Sequence, residues 1–321
     1  KYACAVTSGT TALYVGLKAL GIGRGDEVIV PDLTFAAGPN SVEAVGAKPI
    51  LVDIEQDSLN LDLKKIKQSI TKQTKAIMPV DFNGRAVDIK NITELANQHN
   101  LSLIEDAAHG LGCFYDKKHV GTMSDIGIFS FSTPKIITTG QGGMIVTNDK
   151  KLYEKCKSVK DFGRKSNTKQ NMRMAFDHPT IGYNFKFTEF QAAIGISQMK
   201  KLPKRIIKKK KMYERYKENL CNVKGISFVE TDLKKITPWM MDIILESKHK
   251  KNKLIAYLEK NLIETRIFYP PIHRLKPYKN RDNKFKTTSN VSDKGLWLPS
   301  SVNLKDNEIN LISNRIKYFF S

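Results

Sequence analysis

The sequence predicts an α/β protein: a mostly parallel sheet sandwiched by helices, followed by a smaller C-terminal α/β part. Three observations lead there. Short apolar runs alternate with amphipathic segments, the pattern of a parallel sheet covered on both faces. Small-polar turns and acids fall where several of those runs end, and in such sheets ligands gather at the carboxyl ends of strands. Pro203 marks the expected boundary between a large part over 1–203 and a smaller one over 204–321.

The chain opens on Tyr2-Ala3-Cys4-Ala5-Val6, a strand already under way. Ser8-Gly9-Thr10-Thr11 follows, then an amphipathic helix from Ala12 to Leu20 that Gly21 can cap. Two readings of this turn are open. It is a plain helix N-cap, or it is an anion site built from free backbone N–H groups, hydroxyls and the helix dipole. Gly21-Ile22-Gly23-Arg24-Gly25 ends a helix rather than opening one, so it is a turn and not a dinucleotide fingerprint.

Glu27–Pro31 is a buried strand, and Leu33-Thr34-Phe35 leads into a helix through Val45. Pro49–Asp53, Ala76–Val80 and Leu101–Asp106 are further strands, separated by helices over Leu61–Ile70 and Ile89–His99. The third ends in two acids, Glu105 and Asp106. An acid at a buried strand end needs a partner: it caps the next helix or holds a cationic ring nitrogen. His109 follows, with no second His or Cys at ligand spacing, which argues against zinc.

Between the apolar runs at Ile126 and Met144 lies the turn Ser130-Phe131-Ser132-Thr133-Pro134-Lys135, then Gly140-Gln141-Gly142-Gly143. Lys135 is the only charged residue between Asp125 and Asp149. It is a solvent-facing lysine in a hairpin loop, or a buried amine whose lowered pKa makes it a nucleophile. Beyond it, 161–173 reads as a loop, and Thr188 is the N-cap of a long helix. The smaller part offers strands at Ile226–Val229, Trp239–Leu245 and Thr265–Phe268, a helix over Lys250–Leu262, a rigid Tyr269–His273 loop and a last helix over Asp306–Phe319.

The totals exclude several classes. No apolar run approaches the roughly 18 residues of a membrane span, and the opening is no signal peptide. Four scattered cysteines with no CxxC pair favour a reduced, cytoplasmic setting. The formal net charge of +21 raises nucleic-acid binding as a rival. Its clusters, such as Lys208-Lys209-Lys210-Lys211, alternate with Ile207, Met212 and Tyr216, which fits the solvated face of an amphipathic helix.

In this order, Ser8–Leu13, Gly25–Pro31, Glu105–His109, Ser130–Lys135, Gly140–Gly143 and Gly182–Asn184 resemble the DegT/DnrJ/EryC1/StrS sugar aminotransferases, fold-type-I enzymes dependent on pyridoxal 5′-phosphate. The resemblance runs from Ser8 to the C-terminus. It implies that Lys135 bonds to the cofactor and later shuttles a proton between cofactor and sugar. It implies that Asp106 keeps the pyridine nitrogen protonated, that His109 sits near the phenolic oxygen and that Phe35 stacks on the ring. Gly9, Thr10, Thr11 and Ser130 match the phosphate cradle, and Asn184 an asparagine reaching the phosphate from a neighbouring subunit, so a homodimer with shared sites is implied.

The implied reaction moves an amino group from glutamate to a keto carbon of a nucleotide-linked sugar. Tyr269 and His273 lie where the family contacts substrate. The segments Glu264–Arg266 and Tyr269–His273 resemble the branch that aminates C4 of a GDP-linked 4-keto-6-deoxymannose; UDP- or dTDP-linked 4-keto-6-deoxyglucose fits as well. Relatives that dehydrate keto-deoxysugars carry His at the Lys135 position. Three departures stand out: Asp81 where many relatives carry His, Gln141 where many carry Glu, and no segment before the Ser-Gly-Thr turn, which points to a truncated chain.

Overall fold

The computed structural model describes residues 1–165, 177–280 and 284–321. Its large part is built on β1 (Tyr2–Val6), α1 (Gly9–Ala19), β2 (Glu27–Pro31), α2 (Ala37–Ala44), β3 (Lys48–Val52), α3 (Leu63–Ser69), β4 (Thr74–Ile77), α4 (Ile89–Gln98) and β5 (Ser102–Asp106). A short hairpin of β6 (Phe114–Tyr115) and β7 (Lys118–His119) precedes β8 (Ile126–Ser130), β9 (Gly143–Thr147) and α5 (Lys150–Lys160). The sheet has the order β1-β9-β8-β5-β4-β2-β3. Pairings β2–β3, β2–β4, β4–β5 and β5–β8 are parallel, and β9 runs against both β1 and β8. The expected α/β architecture is therefore observed.

Strand alternation explains the two covered faces. Val28, Val30, Ala76 and Ile104 share a core with α1, α2 and α5. Ile29, Ile77 and Leu103, one position along, share a second core with α3 and α4. Successive side chains of a strand point to opposite faces, so strands buried on both sides read as continuous apolar runs. With β9 alone reversed, the carboxyl ends of β1, β2, β4, β5 and β8 and the start of β9 all reach one edge of the sheet.

The long helix α6 (Glu189–Leu220) opens with a capping box of Thr188 and Gln191, then crosses from the large part to the small one. Pro203, expected at a boundary, lies inside this helix. The smaller part contains β10 (Ile226–Ser227), β11 (Met241–Leu245), α7 (Lys248–Lys260), β12 (Arg266–Ile267), α8 (Lys286–Lys294), β13 (Gly295–Leu298) and α9 (Asp306–Phe320). Its sheet has the order β10-β11-β13-β12 and is antiparallel throughout. Met212, Tyr213, Tyr216 and Leu220 of α6 pack into its core with Ile309, Ile312 and Ile316 of α9.

Among the described residues, five elements lie outside the sequence reading: the helices α5 and α8, the strands β6 and β7 of the short hairpin, and β13. The helices α5 and α8 are short and mostly polar, and β13 is only a short apolar run before Pro299. The loop expected over 161–173 falls largely outside the described residues. Among the described residues, no helix is long and apolar enough to cross a membrane.

Candidate active site

At that sheet edge lies a cavity of about 310 Å³. The chain makes it in seven visits. The first is the turn after β1. Ser8 is extended, with φ −162° and ψ 166°, and its hydroxyl accepts from the Thr11 N–H at 3.1 Å. Thr11 answers by accepting from the Ser8 N–H at 2.9 Å and donating to the Ser8 carbonyl at 2.8 Å. The capping box thus occupies Thr11, while Gly9 and Thr10 line the cavity with the first amides of α1, which have no partner within a helix.

That turn is packed too closely for side chains. A Cβ on Gly9 would stand 2.9 Å from Ser130 Cβ, and one on Gly143 would stand 2.2 Å from the Ser8 carbonyl oxygen. The result is a shallow concavity at a helix N-terminus, bordered by the Ser130 hydroxyl, where backbone donors and the helix dipole converge.

Asp106 ends β5 at the base of the cavity, 6% exposed. Its carboxylate accepts from the Ala108 N–H at 3.0 Å. Burial raises its pKa, opposed by that N–H and by the charge of Lys135. A carboxylate held this way gains from an apposed cation. His109, 5% exposed, accepts a 3.4 Å hydrogen bond at Nδ1 from the Asn83 N–H, which leaves Nε2 to carry the proton of the neutral ring. Burial, with the cations Lys135 and Arg266, pushes its pKa well below the ordinary value.

Lys135 reaches in from the β8–β9 connection. Burial lowers its pKa to about 7; Asp106 opposes this and Arg266 adds to it. Lys135 is half-buried rather than solvent-facing, and of the two sequence readings the surroundings support the nucleophile: with a pKa of about 7, a large fraction of the amine is unprotonated near neutral pH. Phe35, 54% exposed, stands at the mouth with its ring 5.4 Å from that of Tyr269.

Not every expected site residue converges here. His273 is fully buried outside the cavity, where its Nδ1 meets Asp32 Oδ2 at 2.6 Å and its ring stacks on Phe285. It holds the Tyr269–His273 loop against β2 and does not line the cavity as a substrate contact. Asn184 is exposed and bridges to Asp161, also outside this cavity. Conversely, Trp239 and Arg266 line the cavity although sequence reasoning gave neither a role. Trp239 sits in an apolar run with no local signal, and Arg266 lies in the Glu264–Arg266 segment, where the resemblance gives its side chain no task. Among the described residues, no cluster of three or more His, Cys, Asp or Glu is placed to hold a metal.

The donor set fits pyridoxal 5′-phosphate. An amine stands near an acid, a flat aromatic wall stands at the mouth, and the glycine-lined helix N-terminus suits a phosphate. Lys135 would carry the cofactor, Asp106 would hold its ring nitrogen, and Gly9, Thr10 and Ser130 would take its phosphate.

Comparison with known proteins agrees. The model of the DegT/DnrJ/EryC1/StrS aminotransferase family matches residues 1–317. The GDP-perosamine synthase of Escherichia coli O157:H7 is 38% identical over 321 residues, covering 100% of this chain and 86% of that protein. That of Vibrio cholerae is 36% identical over 325 residues, covering 100% and 87%. The aminotransferase from Psychrobacter cryohalolentis superposes with a TM-score of 0.93 at 29% identity, covering 100% and 87% of the two chains. With fold, cavity chemistry and full-length similarity in accord, the chain belongs to the DegT/DnrJ/EryC1/StrS aminotransferase family and is a pyridoxal-phosphate-dependent sugar aminotransferase.

Proposed function

We propose that the chain transfers an amino group from glutamate to the C4 keto carbon of a nucleotide-linked 4-keto-6-deoxyhexose, giving a nucleotide amino-sugar for a surface glycan such as O-antigen. A GDP-linked 4-keto-6-deoxymannose fits best, since the similar full-length proteins are named GDP-perosamine synthases. The observation that carries the reading is Lys135: a partly neutral amine facing Asp106, beside a phosphate-sized helix N-terminus.

Pyridoxal phosphate, when bound, supplies an electron sink at the carbon that loses or gains its proton. The chain supplies the rest. The Lys135 amine takes that proton and returns it, for which a pKa near 7 suits both directions. Asp106 holds the proton on the ring nitrogen. Neutral His109 offers its Nε2–H as a donor. Phe35 and Tyr269 narrow the mouth and limit water. Arg266, a cation lining the cavity, can pair with the carboxylate of the amino donor.

A homodimer belongs to this reading, with Asn184 serving a second copy's site. The same stretch of surface exposes Ile181 (78%), Phe190 (77%) and Ile196 (63%), an apolar group suited to a protein contact. The four free cysteines suit a reducing compartment, so we place the reaction in the cytoplasm.

The test is incubation of the purified chain with pyridoxal phosphate, glutamate and a panel of GDP-, UDP- and dTDP-linked 4-keto-6-deoxyhexoses, read by mass spectrometry. An amino-sugar with matching 2-oxoglutarate is expected. A deoxygenated keto-sugar, or no turnover with any member of the panel, would overturn the proposal.

A further inference from the structure

We propose that Trp239 is a positioning residue: its indole face seats the free Lys135 amine whenever that amine is detached from the cofactor and carries the proton. The proposal rests on the aminotransferase reading and adds to it a residue from the smaller part of the chain.

The geometry is specific. Trp239 is 2% exposed and lies just before β11. Lys135 Nζ stands 4.0 Å from the centroid of its ring system. The ring of His109 stacks on the same indole, with centroids 4.0 Å apart and planes at 24°. The indole N–H donates to the Pro134 carbonyl at 2.7 Å, fixing the peptide that leads into Lys135. The backbone is held as well: the Trp239 carbonyl accepts at 2.6 Å from Lys209 Nζ, which also donates at 2.6 Å to the Ser300 carbonyl. One side chain therefore touches the amine, the peptide before it and the neighbouring histidine.

The physical need follows from the charges around Lys135. Asp106 of β5, His109 in the turn after it, Arg266 of β12 and Tyr269 beyond it face the same cavity, and Lys209 of α6 lies beside Trp239. Burial and Arg266 favour the neutral amine; Asp106 favours the ammonium. A lysine that takes and returns a proton needs both forms within reach. An aromatic face attracts the ammonium without adding a counter-charge that would pair with it permanently. It also restricts a long side chain that otherwise loses considerable rotamer entropy on being held near the reacting carbon. A leucine of similar apolarity supplies neither the ring potential nor the N–H.

The experiment compares wild type, Trp239→Leu and a series with fluorinated tryptophan placed at position 239 in the full chain. Fluorination keeps the shape and the N–H but weakens the negative potential of the ring face. With the cofactor removed, surface and site amines are pulse-acetylated across pH, and the acetylated fraction of Lys135 is read by mass spectrometry.

The titration midpoint of Lys135 should fall stepwise with fluorine number, and by about one pH unit in Trp239→Leu. In parallel, the half-reaction of the loaded enzyme with glutamate should slow about tenfold in Trp239→Leu, with the glutamate concentration for half-saturation little changed. A Lys135 midpoint that stays flat across the fluorinated series overturns the proposal, even if Trp239→Leu does not fold. The labelling needs no turnover. A falling midpoint in a chain that transaminates nothing would sink the proposed function and leave the seat standing.

Discussion

His273 Nδ1 and Asp32 Oδ2 lie 2.6 Å apart with both side chains at 0% exposure, and the His273 N–H donates to the other carboxylate oxygen at 2.8 Å. The pair ties the end of β2 to the loop after β12. It thereby sets Tyr269 against Phe35 at the mouth of the cavity. Removing the imidazole leaves the buried Asp32 carboxylate with the residue-273 backbone N–H but without the ring that meets its Oδ2. His273→Ala should therefore cost about 3–5 kcal/mol of stability in denaturant unfolding. A loss below about 1 kcal/mol would show that the pair does not hold the loop.

Lys135→Ala removes the amine that the site is built around. The variant should lose the absorbance band of lysine-bound pyridoxal phosphate and all measurable turnover. It should still fold, since Lys135 fills a cavity rather than the core. Normal absorbance and normal turnover in this variant would refute the assignment outright.

Gly143→Ala tests the close approach of β9 to the first turn. A Cβ there would meet the Ser8 carbonyl oxygen at 2.2 Å and its carbon at 2.5 Å, backbone atoms that cannot swing aside. The Ser8–Gly9 turn must shift, at a cost of about 1–3 kcal/mol. Pyridoxal phosphate affinity, measured by spectrophotometric titration, should fall accordingly, while the Lys135 amine remains in place. Unchanged affinity would argue that the turn does not hold the phosphate.

Lys209 gives a pH dependence. Burial lowers its pKa to about 7, whereas the unfolded chain keeps that proton to about pH 10.4. The unfolded state binds more protons across that window, so stability rises with pH from about 7 upward. Above about pH 8.5 unfolded thiols ionise, and burial holds the Cys113 and Cys156 thiols up, which acts in the opposite direction. Between pH 7 and about 8.5 the wild type should therefore gain about 2 kcal/mol relative to Lys209→Met in urea unfolding. Equal changes in the two proteins would contradict the assignment.

Much of the site is legible along the chain, for a local reason. Ser8-Gly9-Thr10 follows β1, Asp106 ends β5 and Lys135 lies in the turn after β8, and a costly or unusual residue in such a position stands out without any knowledge of its neighbours. The alternation of apolar runs also carries the parallel sheet, because strands buried on both faces cannot tolerate polar positions. The capping box at Thr188 and Gln191 belongs to the same class of short-range signal.

What the sequence by itself determined was the large sheet, the helix N-terminus after β1 and the positions of Lys135 and Asp106 at turns and strand ends, since each is written within a few adjacent residues. The tertiary structure alone decided three things: that Pro203 sits inside a helix joining the two parts, that His273 is locked onto Asp32, and that Trp239 is packed against Lys135. The Trp239–Pro134 hydrogen bond spans 105 positions and the His273–Asp32 pair 241. No local pattern can encode such contacts, because they depend on where the smaller part settles against the sheet edge. The core that joins the parts sets Leu33, Phe82 and Ile136 against Trp239, Phe268, Tyr269 and Trp297, so the docking and two of the residues that touch the site are decided together.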